Sequence, residues 1–343
     1  MNNKLTSLLT YLLGAALGGL LLWLAFRGTS FEALGRELAT TRWDWLALTI
    51  LIALASHYFR AVRWQLQLMA TGYKPAVAHL FAAVMTGYLA NQALPRAGEI
   101  ARCSVLYRSD RVPVATGFGT VVSERVIDLI ILAVMIFVGF VMEAETLGQF
   151  VSQRQASGSP SGPPWGLIIM GLGLAGAGVA WLLRARLLQW PLFQRLWQFG
   201  QDLLRSALAI RQVPRPGLYL LYTAAIWVAY IVMTWAALKS MPALDTLPVG
   251  TMYLAFILTT TGAIGFAMPS PGGLGPYHAA VIFTFVAMQL LPDAADCQRL
   301  GQAFAILSHT SQLIMFIIVG GLCYLYLFLQ PARDSSLSAT PQP

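Results

Sequence analysis

Long stretches without a single charged residue constrain this chain more than any other feature. Residues 5–26 contain no Asp, Glu, Lys or Arg, and neither do the 43 residues 249–291. A helix needs about 20 mostly apolar residues to cross the hydrocarbon core of a bilayer. Only 10% of the chain is charged, against about 25% in a soluble domain. The sequence therefore predicts an integral membrane protein and excludes a disordered chain, an ordinary cytosolic enzyme and a secreted disulfide scaffold.

Apolar segments recur along the chain, and they predict an all-α, polytopic membrane helical bundle of about eight membrane segments. Two segments are interrupted by proline and glycine, and each of these forms either a re-entrant hairpin or a full pair of spans. The predicted segments are 5–26, 45–64, 77–107 (interrupted), 114–142, 165–183, 217–238, 249–291 (interrupted) and 300–329.

The order of these segments suggests two halves, residues 1–142 and 165–329. Each half contains a span, a span, an interrupted hairpin and a span, and the second half starts from the opposite side of the membrane. Broken segments in matching positions of inverted halves are typical of a transporter whose site lies between the repeats. The alternative is that unrelated segments happen to alternate, since no residue-level similarity supports a repeat.

The basic residues predict the orientation of the chain. Residues 184–216 contain six arginines and one aspartate, and Phe193, Trp197, Leu204 and Leu208 recur there at helical spacing. We expect a cytoplasmic amphipathic loop lying on the bilayer surface. Both termini are then cytoplasmic, and residues 331–343 form a disordered tail. Cytoplasmic loops and anionic lipids account for the net charge of +8, so no nucleic-acid partner is expected.

The first candidate site follows the third apolar segment, where Pro95 and Gly98 break a helix. A helix that restarts at Arg96 directs its positive N-terminal end at the break, which favours an anion there. Glu99 and Arg102 lie three residues apart and share a face of that helix. The candidate residues are Asn91, Pro95, Arg96, Gly98, Glu99 and Arg102.

The second candidate site is a set of charges within the apolar segments. Glu124 and Asp128 lie four residues apart, so they share a helix face and require arginine partners in a low-dielectric environment. The candidate partners are Arg60, Arg63, Arg96 and Arg125. These charges predict either an ion-pair network that locks helices together or a binding site for an anionic headgroup, and both readings can hold at once.

The third candidate site is the second interruption, the sequence Pro269-Ser-Pro-Gly-Gly-Leu-Gly-Pro276. Pro271, Gly272 and Gly273 indicate a helix break inside the bilayer, with a kinked loop at the membrane surface as the alternative. His278 follows the break and titrates near neutral pH in its unperturbed form. A lone histidine on an apolar helix is more often a core residue than a ligand.

No catalytic motif accompanies these candidate sites. The sequence contains no GxSxG, HExxH, P-loop or Rossmann fingerprint. The three cysteines, Cys103, Cys297 and Cys323, are too scattered for a metal site or a disulfide framework. We therefore expect no enzymatic activity, no cofactor and no metal.

Together the motifs resemble those of the lysylphosphatidylglycerol synthase transmembrane-region family, which includes the flippase domain of the multiple peptide resistance factor. The ordered motifs are Arg60-x-x-Arg63-Trp64, Asn91-x-x-Leu-Pro95-Arg96-x-Gly98-Glu99-x-x-Arg102, Glu124-Arg125-x-x-Asp128 and Pro269-x-Pro271-Gly272-Gly273-Leu-Gly275. The resemblance implies an inner-membrane protein of the lipid-flippase type. We expect no soluble aminoacyl-transferase domain to accompany these segments, and therefore no synthase activity. Many members carry a glutamate shortly after the second break, where this chain has His278.

We therefore expect residues 1–330 to form a flippase-like domain in the bacterial inner membrane. It would translocate or bind an anionic phospholipid or lipid-linked substrate in an arginine-rich cavity, with Glu99, Glu124 and Asp128 balancing the charge. The alternative is a membrane-embedded enzyme, or an accessory subunit, of phospholipid or polyprenyl-linked sugar metabolism. A separate lipid-modifying enzyme as partner and a homo-oligomer remain open.

Overall fold

The structure is a computed structural model that describes residues 18–27, 30–156, 212–244 and 250–330, together with residues 16 and 247. Several predictions fall outside this part of the chain. They concern the beginning of the first span, the span 165–183, nearly all of the loop 184–216 and the tail 331–343.

The described residues form helices and short turns, and no strand occurs among them. Residues 18–26 are helical, and 3-10 turns lie at Pro242–Leu244 and Pro271–Gly273. The prediction of an all-α membrane bundle is confirmed. The longer helices are α1 (Phe31–Ala39), α2 (Trp43–Met69), α3 (Val77–Ala93), α4 (Ala97–Asp110), α5 (Val114–Ala156), α6 (Pro216–Lys239), α7 (Thr251–Ala267), α8 (Pro276–Ala287) and α9 (Ala294–Leu329).

Four stretches of the described chain are long and apolar enough to cross a membrane, namely α2, residues Val114–Met142 of α5, α6 and α9. Their outer faces carry large apolar side chains that are more than half exposed, such as Phe137, Leu221 and Leu322. Such side chains are stable where lipid rather than water surrounds the protein. The chain is therefore a multi-pass membrane protein.

Helix ends follow local sequence signals. Pro216 and Pro276 are the first residues of α6 and α8. Proline has no N–H, and at this position an N–H would find no acceptor within the helix. The Asp293 side chain accepts a hydrogen bond of 2.9 Å from Ala295 N and caps α9. These signals place α8 directly after the second proline–glycine break.

The chain divides into two compact units. The first unit contains residues 1–124 and 211–343, and the second contains residues 125–210. Within the first unit, α2 packs most extensively on α6, α3 packs on α4 and α9, and α8 packs on α7 and α9. The described helices follow the predicted order of spans and interrupted hairpins, whereas the inverted relation of the halves 1–142 and 165–329 stays a prediction.

Close backbone contacts hold each interrupted hairpin together. A Cβ atom on Gly87 would lie 2.8 Å from the Gly98 carbonyl oxygen, so α3 and α4 cross with almost no space between them. In the same way, a Cβ atom on Gly265 would lie 2.8 Å from the Cα atom of Tyr277, at the crossing of α7 and α8. Small residues permit this approach of helices inside a membrane.

We predict that Gly98→Ala destabilises the protein. Its added methyl would lie 2.6 Å from Asn91 Nδ2, and overpacking of this kind costs about 1–3 kcal/mol. The melting temperature in detergent should fall by several degrees. Gly119→Ala is the matched control, because no atom lies within 4 Å of its added Cβ. An unchanged melting temperature for Gly98→Ala would contradict the described crossing.

Candidate functional site

The Glu124 carboxylate is the centre of a buried charge cluster. It is fully buried near the start of α5 and contacts three arginines that come from two other helices. Arg60 Nη1 donates to Oε1, and Arg63 Nη2 lies 3.0 Å from the same oxygen. Arg102 Nη2 donates to Oε2 at 3.0 Å. We call these four residues the arginine cluster.

All members of the arginine cluster are at most 3% exposed. Three guanidinium groups and one carboxylate therefore lie at low dielectric, where each charge loses its hydration and depends on its neighbours. Contacts of both carboxylate oxygens with guanidinium groups provide the strong, charge-assisted hydrogen bonds that such burial requires. The cluster joins α2, α4 and the start of α5.

Aromatic and hydroxyl groups complete the surroundings of the three arginines. Arg60 Nη2 donates to the Tyr230 hydroxyl at 2.9 Å, and Arg63 Nη1 donates to Thr223 Oγ1 at 3.4 Å. The Arg102 guanidinium lies over the Trp64 ring, 4.5 Å from its centroid. Trp64 Nε1 in turn donates to Thr120 Oγ1 at 2.8 Å.

The sequence prediction missed these neutral partners. Tyr230 and Thr223 belong to an otherwise apolar helix, α6, and they lie seven residues apart on one helix face. The sequence signal that could have predicted these partners is a pair of polar residues at helical spacing within an uncharged span. The motif Arg60-x-x-Arg63-Trp64 includes Trp64, but its spacing does not predict which group the Trp64 ring contacts.

The first break lies beside the arginine cluster. Asn91 Oδ1 accepts a hydrogen bond of 2.7 Å from Gly98 N, so its side chain serves as a cap for α4. Gly98 precedes Arg102 by about one turn of α4, and a Cβ atom on Gly87 would lie 3.3 Å from the Arg102 Cβ atom. The same close helix crossing thus positions both the break and one cluster arginine.

Arg96 differs from the three buried arginines. It is exposed at the N-cap of α4 and adopts the left-handed conformation, with φ +63°. Pro95 before it and Glu99 in the first turn of α4 are half-buried. The structure therefore places Arg96 at the entrance of the break rather than in contact with Glu124.

The second break is in contact with the first. Gly272 and Gly273, which follow Pro271, have φ values of +58° and +78°, a region that glycine enters without strain. A Cβ atom on Gly272 would lie 3.1 Å from Gln92 Cδ, so the two breaks touch at this residue. His309 Nε2 donates to the Gly272 carbonyl oxygen at 2.9 Å.

His278 is a packed aromatic residue beside the second break. It is 4% exposed, and its ring centroid lies 4.8 Å from that of His309 and 5.8 Å from that of Phe26. No group of three His, Cys, Asp or Glu side chains that could hold a metal occurs in the described part of the chain. These contacts fit the interpretation of His278 as a core residue.

Arg125 and Asp128 belong to the second compact unit. Arg125 Nη1 lies 3.8 Å from Asp128 Oδ2, with the Arg125 side chain 43% exposed and that of Asp128 13% exposed. This pair spans adjacent turns of α5. Burial distinguishes the two predicted carboxylates, since Glu124 is completely buried and Asp128 is not.

One comparison with known proteins identifies the chain. The family model described as the lysylphosphatidylglycerol synthase TM region matches residues 11–320, which is nearly the whole chain. No curated protein and no solved structure matches the chain. The chain therefore belongs to this family, which confirms the resemblance seen in its motifs and indicates a membrane protein of lipid-related function.

We predict that Glu124→Gln is strongly destabilising. It leaves three buried guanidinium groups without the carboxylate they share, and breaking a buried ion pair in this way costs about 3–5 kcal/mol. Asp296→Asn is the matched control, since the side chains of its pair with Arg299 are 44% and 41% exposed, and an exposed pair contributes about 0–1 kcal/mol. Detergent melting temperatures measure both effects, and equal shifts for the two variants would contradict the central role of Glu124.

Proposed function

We propose that this member of the lysylphosphatidylglycerol synthase transmembrane-region family binds the phosphate of an anionic phospholipid or lipid-linked substrate within the bilayer and moves it across. The arginine cluster is the observation that supports the proposal. Ionisable groups buried at membrane depth are rare and commonly mark substrate pathways. In this proposal the protein resides in the bacterial inner membrane, as the family resemblance implies, with both termini in the cytoplasm, as the basic loop 184–216 predicts.

Phosphate can take the place of a carboxylate among guanidinium groups. Carboxylate and phosphate each offer a pair of oxygens that can accept two parallel N–H bonds from one guanidinium group. In the proposed function, Arg60, Arg63 and Arg102 hold the phosphate when the Glu124 carboxylate moves aside. Because all four side chains are buried, the described conformation is closed, and binding requires helices to separate.

Arg96 makes the first contact with the headgroup. It is exposed at the first break, where the positive N-terminal end of α4 also favours an anion. Asn91 supports the break through its bond to Gly98 N, and the glycines of both breaks, with Pro95 and Pro271, set the backbone path.

Glu124 is poorly suited to acid–base catalysis, which favours transport over a membrane-embedded enzyme. A general base needs a free carboxylate oxygen near its substrate, whereas both oxygens of Glu124 already contact guanidinium groups. We propose that the protein has no catalytic activity and needs no cofactor. A separate lipid-modifying enzyme would then supply the cargo.

We predict that Arg96→Ala slows lipid translocation about tenfold or more, because a charge-assisted contact contributes about 1.5–3 kcal/mol. Purified protein is reconstituted into liposomes that contain fluorescent phosphatidylglycerol, and dithionite bleaching measures the lipid that reaches the outer leaflet. Arg96→Gly should be equally slow but more stable than Arg96→Ala, since glycine relieves the left-handed conformation. Arg36→Ala, which removes an exposed arginine of α1, is the matched control.

The same liposomes separate the alternative functions. Bleaching no greater than in protein-free vesicles would contradict translocation by this chain alone and favour an accessory subunit. A chemically altered lipid, detected by mass spectrometry after incubation, would instead support a membrane-embedded enzyme. Wild-type and Arg96→Ala protein with equal rates would remove Arg96 from the proposed site.

A further inference from the structure

A polar seam runs along the packed faces of α2, α6 and α7, well beyond the arginine cluster. Its residues all lie in the first compact unit, and their side chains form hydrogen bonds between helices that are otherwise strongly apolar. The polar seam consists of Arg60, Arg63 and Gln67 on α2, Tyr219, Thr223, Tyr230 and Thr234 on α6, and Thr259 on α7.

The spacing of the α6 residues makes this seam continuous. Positions 219, 223, 230 and 234 differ by four, seven and four residues, so at 100° per residue they occupy a stripe about 60° wide. Fifteen residues rise about 22 Å, which is most of the roughly 30 Å hydrocarbon core. The seam therefore offers polar groups through about two thirds of the membrane depth.

Contacts follow the seam from one end to the other. Gln67 Nε2 donates to the Tyr219 hydroxyl at 3.2 Å, and the Arg63 guanidinium lies 5.8 Å from the centroid of the Tyr219 ring. Arg63 contacts Thr223, and Arg60 contacts the Tyr230 hydroxyl. At the other end, Thr259 Oγ1 donates to Thr234 Oγ1 at 3.0 Å.

Gln67 in the seam and Trp227 next to it carry hydrogen-bonding atoms that the described residues do not satisfy. Gln67 Oε1 and Trp227 Nε1 are buried without a hydrogen-bond partner among the described residues, and each residue is only 8% exposed. An unsatisfied buried polar group costs about 1–3 kcal/mol. Trp227 lies on α6 between Thr223 and Tyr230, and its ring centroid is 5.8 Å from that of Tyr230, so an indole donor without an acceptor lies next to the seam.

We infer that the polar seam is the path along which the phosphodiester headgroup of a phospholipid crosses the bilayer. This inference rests on the proposed function and specifies its route. The seam presents guanidinium, hydroxyl and indole donors, which suit phosphate oxygens. The opposite face of α6 carries Leu221 and Val228, 61% and 57% exposed, so α6 stands between the seam and the lipid. The acyl chains stay in the hydrocarbon and the headgroup enters the seam where α6 separates from a neighbouring helix.

The first experiment tests whether the seam opens to water, without measuring transport. In a chain whose three cysteines are replaced by alanine, Thr223→Cys and Thr234→Cys are compared with the lipid-facing Val228→Cys in phosphatidylcholine vesicles. A hydrated cysteine thiolate attacks a charged methanethiosulfonate reagent and displaces methanesulfinate, whereas a thiol in lipid does not ionise, so the seam cysteines should react about tenfold faster. Phosphatidylglycerol in the vesicles should slow that reaction.

Two results of this labelling would overturn the inference. Seam cysteines that react no faster than Val228→Cys would show a dry interface between helices. Seam cysteines that react rapidly but at the same rate with and without phosphatidylglycerol would show a water path that carries no headgroup. Both labelling results can be obtained even if the wild-type protein translocates no lipid. A lack of translocation would contradict the proposed function rather than the seam as a path.

The second experiment separates a path from a purely structural hydrogen-bond network. Thr223→Val and Thr259→Val remove seam hydroxyls at nearly constant volume, and each should lower the initial translocation rate several-fold in protein that is still folded at the assay temperature. Thr260→Val is the matched control, because its hydroxyl donates only to Phe256 O in its own helix at 2.9 Å. A lower melting temperature with a wild-type rate would assign the seam hydroxyls to stability alone.

Discussion

The structure depends on one buried carboxylate that three arginines share. Inside a membrane, an isolated charge is strongly unfavourable, so the positions of Arg60, Arg63 and Arg102 are determined by their common need for Glu124. These arginines come from α2 and α4, and Glu124 lies near the start of α5. One electrostatic requirement therefore fixes how three helices approach each other.

The broken hairpins satisfy a second requirement, that backbone N–H and C=O groups at membrane depth find partners. Asn91 accepts a hydrogen bond from Gly98 N at the first break, and His309 donates one to the Gly272 carbonyl at the second. Gln92 packs against Gly272, which places the breaks side by side. Side chains from neighbouring segments thus replace the hydrogen bonds that a continuous helix would have made.

Much of this arrangement follows from local sequence rules, and some of it cannot. Apolar length predicts the spans, Pro95 and Gly98 predict the first break, and the cost of buried charge predicts arginine partners for Glu124. Local rules could not choose between Glu124 and Asp128 as the central carboxylate, nor place Gln92 on Gly272. Such choices depend on contacts between residues 22 and 64 positions apart for Glu124, and 180 positions apart for Gln92 and Gly272, which helical spacing does not encode. Tyr230 was missed because a tyrosine in an apolar span is usually an interfacial residue.

The arginine cluster also explains how a closed bundle could exchange its internal anion for an external one. A guanidinium that gives up a carboxylate oxygen for a phosphate oxygen keeps the number and type of its charge-assisted hydrogen bonds. Each buried guanidinium group then always has an anionic partner, so the arginines avoid the penalty for an unpaired charge at low dielectric. In a neutral polar pocket, by contrast, both the pocket groups and the phosphate would have to lose their bound water before any strong hydrogen bond formed. Arginines already paired with a carboxylate are therefore a suitable resting state for a site that admits a phosphate only when its helices separate.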